Sequence, residues 1–216
     1  MIVTIDGPAG VGKSTAARRL AERLGFDFLD TGAMYRAVAV VCLERSWAPE
    51  DLTLSAQVAR EVTIETLSGH VLCNGIDFAD RIRTTEVSQA ASIVAQNPEV
   101  REALVRQQRA AASNRNIVSE GRDQGTIVFP HAECKFFLTA DADERALRRH
   151  REMAVAGQAI DIAELVRLQK ERDDRDEMRA IAPLRPADDA LLVDTSGRTP
   201  EEVLDELVAI VRSRQN

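Results

Sequence analysis

The sequence predicts an α/β fold, a five-stranded parallel sheet covered by helices with a small antiparallel insertion in its first half. Three observations predict it. Short apolar runs alternate with helical stretches along most of the chain, the pattern of parallel strands joined by crossover helices. A glycine-rich turn, Gly7 to Gly12, joins the first run to the first helix. The alternation breaks once, at about residues 48–83, where turn dipeptides separate short apolar runs.

The first strand is read at residues 2–5 and the first helix at 13–24, where Ala17, Leu20, Ala21 and Leu24 recur at helical spacing and Gly25 suits the C-terminal stop. Residues 28–29 form a second strand and 33–44 a second helix. Pro49-Glu50-Asp51 opens a short helix. Val62, Ile64 and Leu67 then alternate with polar residues, and Ser68-Gly69 and Asn74-Gly75 flank Val71-Leu72-Cys73. Asn-Gly between apolar runs is a strong local hairpin signal, so this stretch is predicted to be antiparallel. Residues 86–96 and 100–112 are alanine-rich helices parted by Asn97-Pro98. Strands follow at 116–118, 135–138 and 191–193, bringing the parallel strands to five. Residues 142–156 are an arginine-laden helix and 162–178 a heavily charged one. Thr199-Pro200-Glu201-Glu202 supplies a capping box, with proline at the first helical position, for the last helix.

The chain has 216 residues, which suits one domain carrying an insertion and is enough to bury a core without staples. Its formal charge of −7 argues against non-specific binding to nucleic acid or to an anionic membrane surface. No apolar run approaches the ~20 residues of a membrane span, and the first residues lack the pattern of a signal peptide. Cys42, Cys73 and Cys134 are far apart, form no CxxC pair, and fit reduced structural thiols, so a cytoplasmic location is expected. No long exposed apolar stripe is visible, so a monomer is expected. The three histidines, His70, His131 and His150, are scattered and receive no role; Tyr35 and Trp47 are read as packing residues.

Gly7-Pro8-Ala9-Gly10-Val11-Gly12-Lys13-Ser14 matches GxxxxGK[ST], with a strand before it and a helix after it. In such a loop the backbone amides and the helix N-terminus face phosphate oxygens. Lys13 would bridge the β- and γ-phosphates of a nucleotide, and the Ser14 hydroxyl would ligate Mg²⁺. The loop implies nucleotide binding and leaves the reaction open among a small-molecule kinase, a GTPase switch and an ATPase or binding module. A GTPase would need Asn-Lys-x-Asp, which the sequence lacks. A motor ATPase would carry an apolar strand ending in adjacent acidic residues, for which Ile117-Val118-Ser119-Glu120 is a weak candidate. A small-molecule kinase needs a second anion-binding cluster and a lid that excludes water.

Segments beyond the loop resemble the bacterial type of cytidylate kinase: Thr31-Gly32-Ala33-Met34-Tyr35-Arg36, Glu86 to Ser92, Val100 to Leu104, Gly121-Arg122-Asp123 and Arg172-Asp173-Asp174-Arg175-Asp176. They fall in the family's order and span nearly the whole chain. The resemblance implies transfer of a phosphoryl group from ATP to CMP or dCMP, with Mg²⁺. It also implies a core at about 1–36, 84–150 and 185–216, a CMP-binding region at about 37–83 and a short helical lid at about 151–184. The phosphate loop, Gly7 to Thr15 with Pro8, Ala9, Gly10, Val11, Gly12, Lys13 and Ser14, would hold ATP. Thr31 would hydrogen-bond the acceptor, unless it serves only as a helix N-cap, and Arg36 would clamp its phosphate, unless it lies on a solvated face. Arg101 and Arg122 would complete the clamp, since arginine meets phosphate oxygens two at a time.

Ser92, Arg122 and Asp123 would read cytosine and ribose, a carboxylate accepting from the exocyclic amine that uracil lacks; Asp123 as a structural cap is the alternative. Arg172, Asp176 and Arg179 are spaced i, i+4 and i+7 on one helix face; Arg172 and Arg179 would close on the transferring phosphoryl group and Asp176 would help orient the acceptor, unless the three form a solvated ion-pair ladder. Arg145, Arg148 and Arg149 would flank the ATP side. Four positions depart from the family pattern: Glu120 where Asp is usual, Gln124 where Met is common, and Glu177 and Met178 where more basic or small polar residues are frequent. A P-loop kinase for another acceptor, a different monophosphate or shikimate, and a non-catalytic nucleotide-binding regulator are the competing readings.

Overall fold

The computed structural model describes residues 1–66, 70–155 and 161–215. Five strands, β1 (Ile2–Asp6), β2 (Asp27–Asp30), β6 (Ile117–Gly121), β7 (Cys134–Thr139) and β8 (Leu191–Asp194), form one sheet in the order β2-β6-β1-β7-β8, with every neighbouring pair parallel. The helices are α1 (Lys13–Leu24), α2 (Thr31–Glu44), α3 (Leu52–Glu61), α4 (Thr85–Val94), α5 (Pro98–Ala112), α6 (Ala142–Val155), α7 (Ile162–Met178) and α8 (Pro200–Gln215).

Successive strand residues face opposite sides of the sheet, and the core divides accordingly. Val3, Ile5, Phe28, Val118, Phe136 and Leu138 pack with Leu20 of α1 and Leu204 and Leu207 of α8. Leu29 and Ile117 pack on the other face with α2, α4 and α5. The insertion is a three-stranded antiparallel sheet, β3 (Ile64–Glu65), β4 (Leu72–Cys73) and β5 (Ile76–Asp77). Cys73 pairs with Ile76, so Asn74-Gly75 is the predicted two-residue turn, and its φ values of 50° and 78° are those of a type I′ hairpin. Ser68-Gly69, the other predicted turn, and Ala156, the predicted end of the arginine-rich helix, lie outside the described residues.

Two local readings are corrected. Helix α2 begins at Thr31 and its N-cap is Asp30, whose carboxylate accepts from Ala33 N at 2.8 Å. Thr31 is therefore not the cap; its hydroxyl donates to the Glu120 carbonyl at 2.6 Å. Helix α7 ends at Met178, and Arg179 is an extended C-cap residue (ψ 137°). The shared helix face therefore holds for Arg172 and Asp176 only. Arg179 reaches the same region from a strap that folds back, with Leu184 N donating to Asp176 O at 2.8 Å and Arg179 Nε to Ala182 O.

The carboxyl ends of three adjacent strands lie side by side: Glu120 is opposite both Ile5 and Asp30, and Gly121 is opposite Asp6. In an open parallel sheet this edge is where ligands bind. Among the described residues no helix is long and apolar enough to cross a membrane.

Candidate active site

The phosphate loop runs from the end of β1 into α1. Gly7 has φ 145°, and a Cβ there would stand 2.2 Å from the Leu138 carbonyl oxygen of β7, so the strand-to-loop bend admits only glycine. Helix α1 has Gly12 at its N-cap with no side-chain cap, and no acidic residue in its first turn. Its first amides therefore lack a protein anion, and the partial positive charge of the helix end is directed to whatever the loop holds. Lys13 is buried and donates Nζ to Pro8 O at 2.5 Å, folding over the loop. Burial first, then the nearby Arg122 and Arg172 cations, holds its ammonium well below the usual lysine range, while Glu120 and Asp6 pull the other way. A lysine destabilised by neighbouring cations marks a place built to receive negative charge.

Strand β6 supplies the next group. Glu120 accepts from the Ser14 hydroxyl at 2.5 Å and lies close to Asp30 and Arg36. Burial and then Asp30 push its carboxyl up, against Lys13, Ser14 and Arg36. The acidic strand end that looked weak in sequence is thus set directly against the loop serine.

The residues expected to hold the acceptor come from α2, α4, α5, the turn after β6, α7 and the strap that follows it. From α2, Arg36 pairs with Asp30 at 3.2 Å. From α5, Arg101 is paired with Asp123, both about 95% shielded, and its guanidinium stands 5.7 Å from the Tyr35 ring centroid. Asp123 also faces Arg179, at 3.9 Å. Arg122 donates Nε to Asp176 Oδ2 at 2.8 Å and Nη1 to Gly121 O at 3.3 Å. Arg172 has a buried Nε with no protein partner. Burial and then Arg122 push its guanidinium down to about 10. Ser92 of α4 accepts from Arg175 Nε at 3.4 Å. The predicted residues Lys13, Arg36, Arg122 and Arg172 thus converge electrostatically, whereas Arg101, Asp123 and Arg179 form a second, deeper group beside Tyr35.

Helix α7 is seated on the phosphate loop through Asp173, for which the sequence suggested no role, and through Arg145, which it set on the ATP side. Ala9 N donates to Asp173 Oδ1 at 3.4 Å, and Arg145 of α6 donates to both Asp173 and Ala9 O, the latter at 3.1 Å. Gly10 fits beneath them: a Cβ there would lie 3.1 Å from Gln169 Nε2 and 3.2 Å from Arg145 Cβ. Arg148 reaches Thr195, whose hydroxyl donates to Val11 O at 3.2 Å, so it too lies on the loop side. Asp173 was hidden inside a charge run; its position next to Arg172 was the signal that could have found it. Asp6, directly before the motif, was overlooked as the last residue of a strand.

A phosphate loop facing an arginine-rich cleft at a parallel sheet's carboxyl edge defines a P-loop phosphotransferase. Within that class the cytidylate kinase family model matches residues 3–213, and the chain belongs to that family. It is 45% identical to a cytidylate kinase of Rhodopirellula baltica over 212 residues, covering 98% of this chain and 93% of that protein. It is 46% identical to a cytidylate kinase of Carboxydothermus hydrogenoformans over 215 residues, covering 98% and 97%. A solved structure of an uncharacterized protein from Eubacterium ventriosum shares the fold, with a TM-score of 0.58 at 15% identity, covering 99% of this chain and 98% of that one.

Proposed function

We propose that this protein transfers the γ-phosphoryl group of ATP to CMP or dCMP, giving ADP and CDP or dCDP. The observation that supports this most is the cleft itself in a chain of the cytidylate kinase family: one phosphate loop after β1 and, beside the end of the neighbouring β6, one buried arginine–aspartate group. Lys13 and the loop amides hold the donor phosphates. Arg36 and Arg122 hold the acceptor phosphate, each now neutralised by a carboxylate, Asp30 and Asp176, that substrate oxygens can replace or join. Arg172 carries an unpaired buried N–H into the same region and meets the charge of the moving phosphoryl group. Asp123 accepts from the exocyclic amine of cytosine, with Arg101 and Arg179 on either side to donate to N3 or O2. Ser92 lines the base side, and Thr31 fixes the α2 start against β6.

The attacking atom is already an anionic phosphate oxygen, so the reaction needs alignment and charge neutralisation more than a general base. The hydroxyl of Ser14 and the carboxylate of Glu120 are hard oxygen donors in contact, a set that suits Mg²⁺. When bound, Mg²⁺ offsets negative charge on the donor phosphates. The lid at about 151–184 excludes water once both substrates are in place. Three free, buried thiols fit a reducing cytoplasm, where a monomer would recycle pyrimidine nucleotides.

The test is ADP release from ATP and Mg²⁺ with CMP, dCMP, UMP, AMP, GMP and shikimate in parallel. Strong turnover on CMP and dCMP with weak UMP is expected. Preference for another acceptor would discard the base-reading group and keep the kinase.

A further inference from the structure

Asp6 closes β1, immediately before Gly7, and is 4% exposed. Its two carboxylate oxygens accept different amides from far along the chain: Oδ1 from Gln124 N at 2.9 Å and Oδ2 from Gly125 N at 2.8 Å. These are the first two amides of a single π turn, Gln124–Val128. First-turn amides have no partner within their own turn, and Asp123, at the capping position, makes no side-chain bond to them. Asp6 is therefore the cap of a turn that follows directly on Arg122 and Asp123. The fit is close, since a Cβ on Gly125 would lie 3.0 Å from Thr4 Oγ1.

The remaining ties of the turn are internal, to its own strand, or to α5, where Arg109 donates to Val128 O at 2.9 Å and to Ile127 O at 2.8 Å and Gln108 accepts from the Gln124 side chain at 3.5 Å. Ile127 and Val128 donate to Asp123 O, and Ser119 donates to the Gln124 side chain at 2.8 Å. They shape the turn and hold its far end against α5, while its two hydrogen bonds to β1 are those to Asp6. The phosphate loop has anchors of its own: Gly7 rests against Leu138, and Ala9 is held by Arg145 and Asp173.

We propose that Asp6 is a positioning residue for the acceptor: by capping the turn after Arg122 and Asp123 it aims both at the acceptor nucleotide. The proposal rests on the acceptor reading above. Asp6→Asn keeps the shape and one accepting oxygen but turns a donor toward a backbone N–H. For this variant kcat/KM for CMP should fall on the order of tenfold, while KM for ATP stays within about twofold. In an Asp123→Ala background the same change should cost much less, because the residue through which it acts is gone.

Equal losses for ATP and CMP, or full additivity in the double variant, would overturn the proposal, as would a lowered melting temperature with both KM values unchanged. If the asparagine variant does not fold, Asp6→Ser, which retains one acceptor, carries the same comparison. Wild-type protein that prefers another acceptor would overturn the acceptor reading alone; the split between donor and that acceptor would then decide the role of Asp6.

Discussion

The two halves of the cleft are built differently. The proposed donor half is one continuous stretch, Gly7 to Thr15, that offers backbone amides and glycine conformations. The proposed acceptor half is assembled from side chains on α2, α4, α5, the turn after β6, α7 and the strap after it, held by mutual ion pairs. A backbone site tolerates loss of a side chain without unfolding. A site made of buried charges that neutralise one another does not, because removing one partner strands the other.

Breaking the acceptor half should therefore cost stability as well as activity. Arg101→Met leaves Asp123 buried and facing only Arg179; urea denaturation should show a loss of about 3 kcal/mol or more. A variant as stable as wild type would mean that Arg179 moves in to replace the lost partner. The donor half should behave in the opposite way. Lys13→Ala should lower kcat/KM at least about 10²-fold with an unfolding midpoint close to wild type. Arg122→Ala should show a comparable kinetic loss, and normal turnover by either protein would sink the assigned roles.

The junction between the halves sharpens the contrast. Asp173 occupies the Ala9 amide and engages Arg145, both of which donor phosphates can use. Asp173→Asn should lower KM for ATP, by up to about fivefold, and leave KM for CMP alone. A raised KM for ATP would make the contact a support for the loop instead of a competitor for it. The smallest effect is expected at the rim. Ser92→Ala removes one long hydrogen bond from Arg175 and should change KM for CMP by about twofold, read in the same steady-state assay.

The same contrast explains what could be read without coordinates. The phosphate loop, its strand and its helix are contiguous, so spacing alone located them. The hairpin was legible because Asn74-Gly75 must adopt positive φ. The capping box at Thr199 was legible for a similar local reason: Thr199 N donates to Glu202 at 2.8 Å and Glu202 N to Thr199 Oγ1 at 3.3 Å, as the motif requires. The acceptor residues came from the family resemblance, since no local rule brings Arg101 to Asp123. Spacing misled at Arg179, where the strap ends the helix periodicity. At Asp30 the cap lies one residue before Thr31, the alternative that the sequence leaves open. Asp6 was out of reach for a physical reason: its partners are the backbone amides of Gln124 and Gly125, and a sequence does not display which amides are free.

The sheet order has a consequence for how such enzymes diversify. β2, β6 and β1 are consecutive neighbours, and the acidic and glycine residues at their ends are in register. Adjacent strands sit about 4.8 Å apart whatever their side chains. With donor and acceptor in the two proposed halves, the gap between them would be gauged by the peptide backbone, a ruler that mutation of the surrounding helices hardly alters. Recognition of the acceptor can drift through α4, α5 and the strap while the span across which the phosphoryl group must travel stays the same.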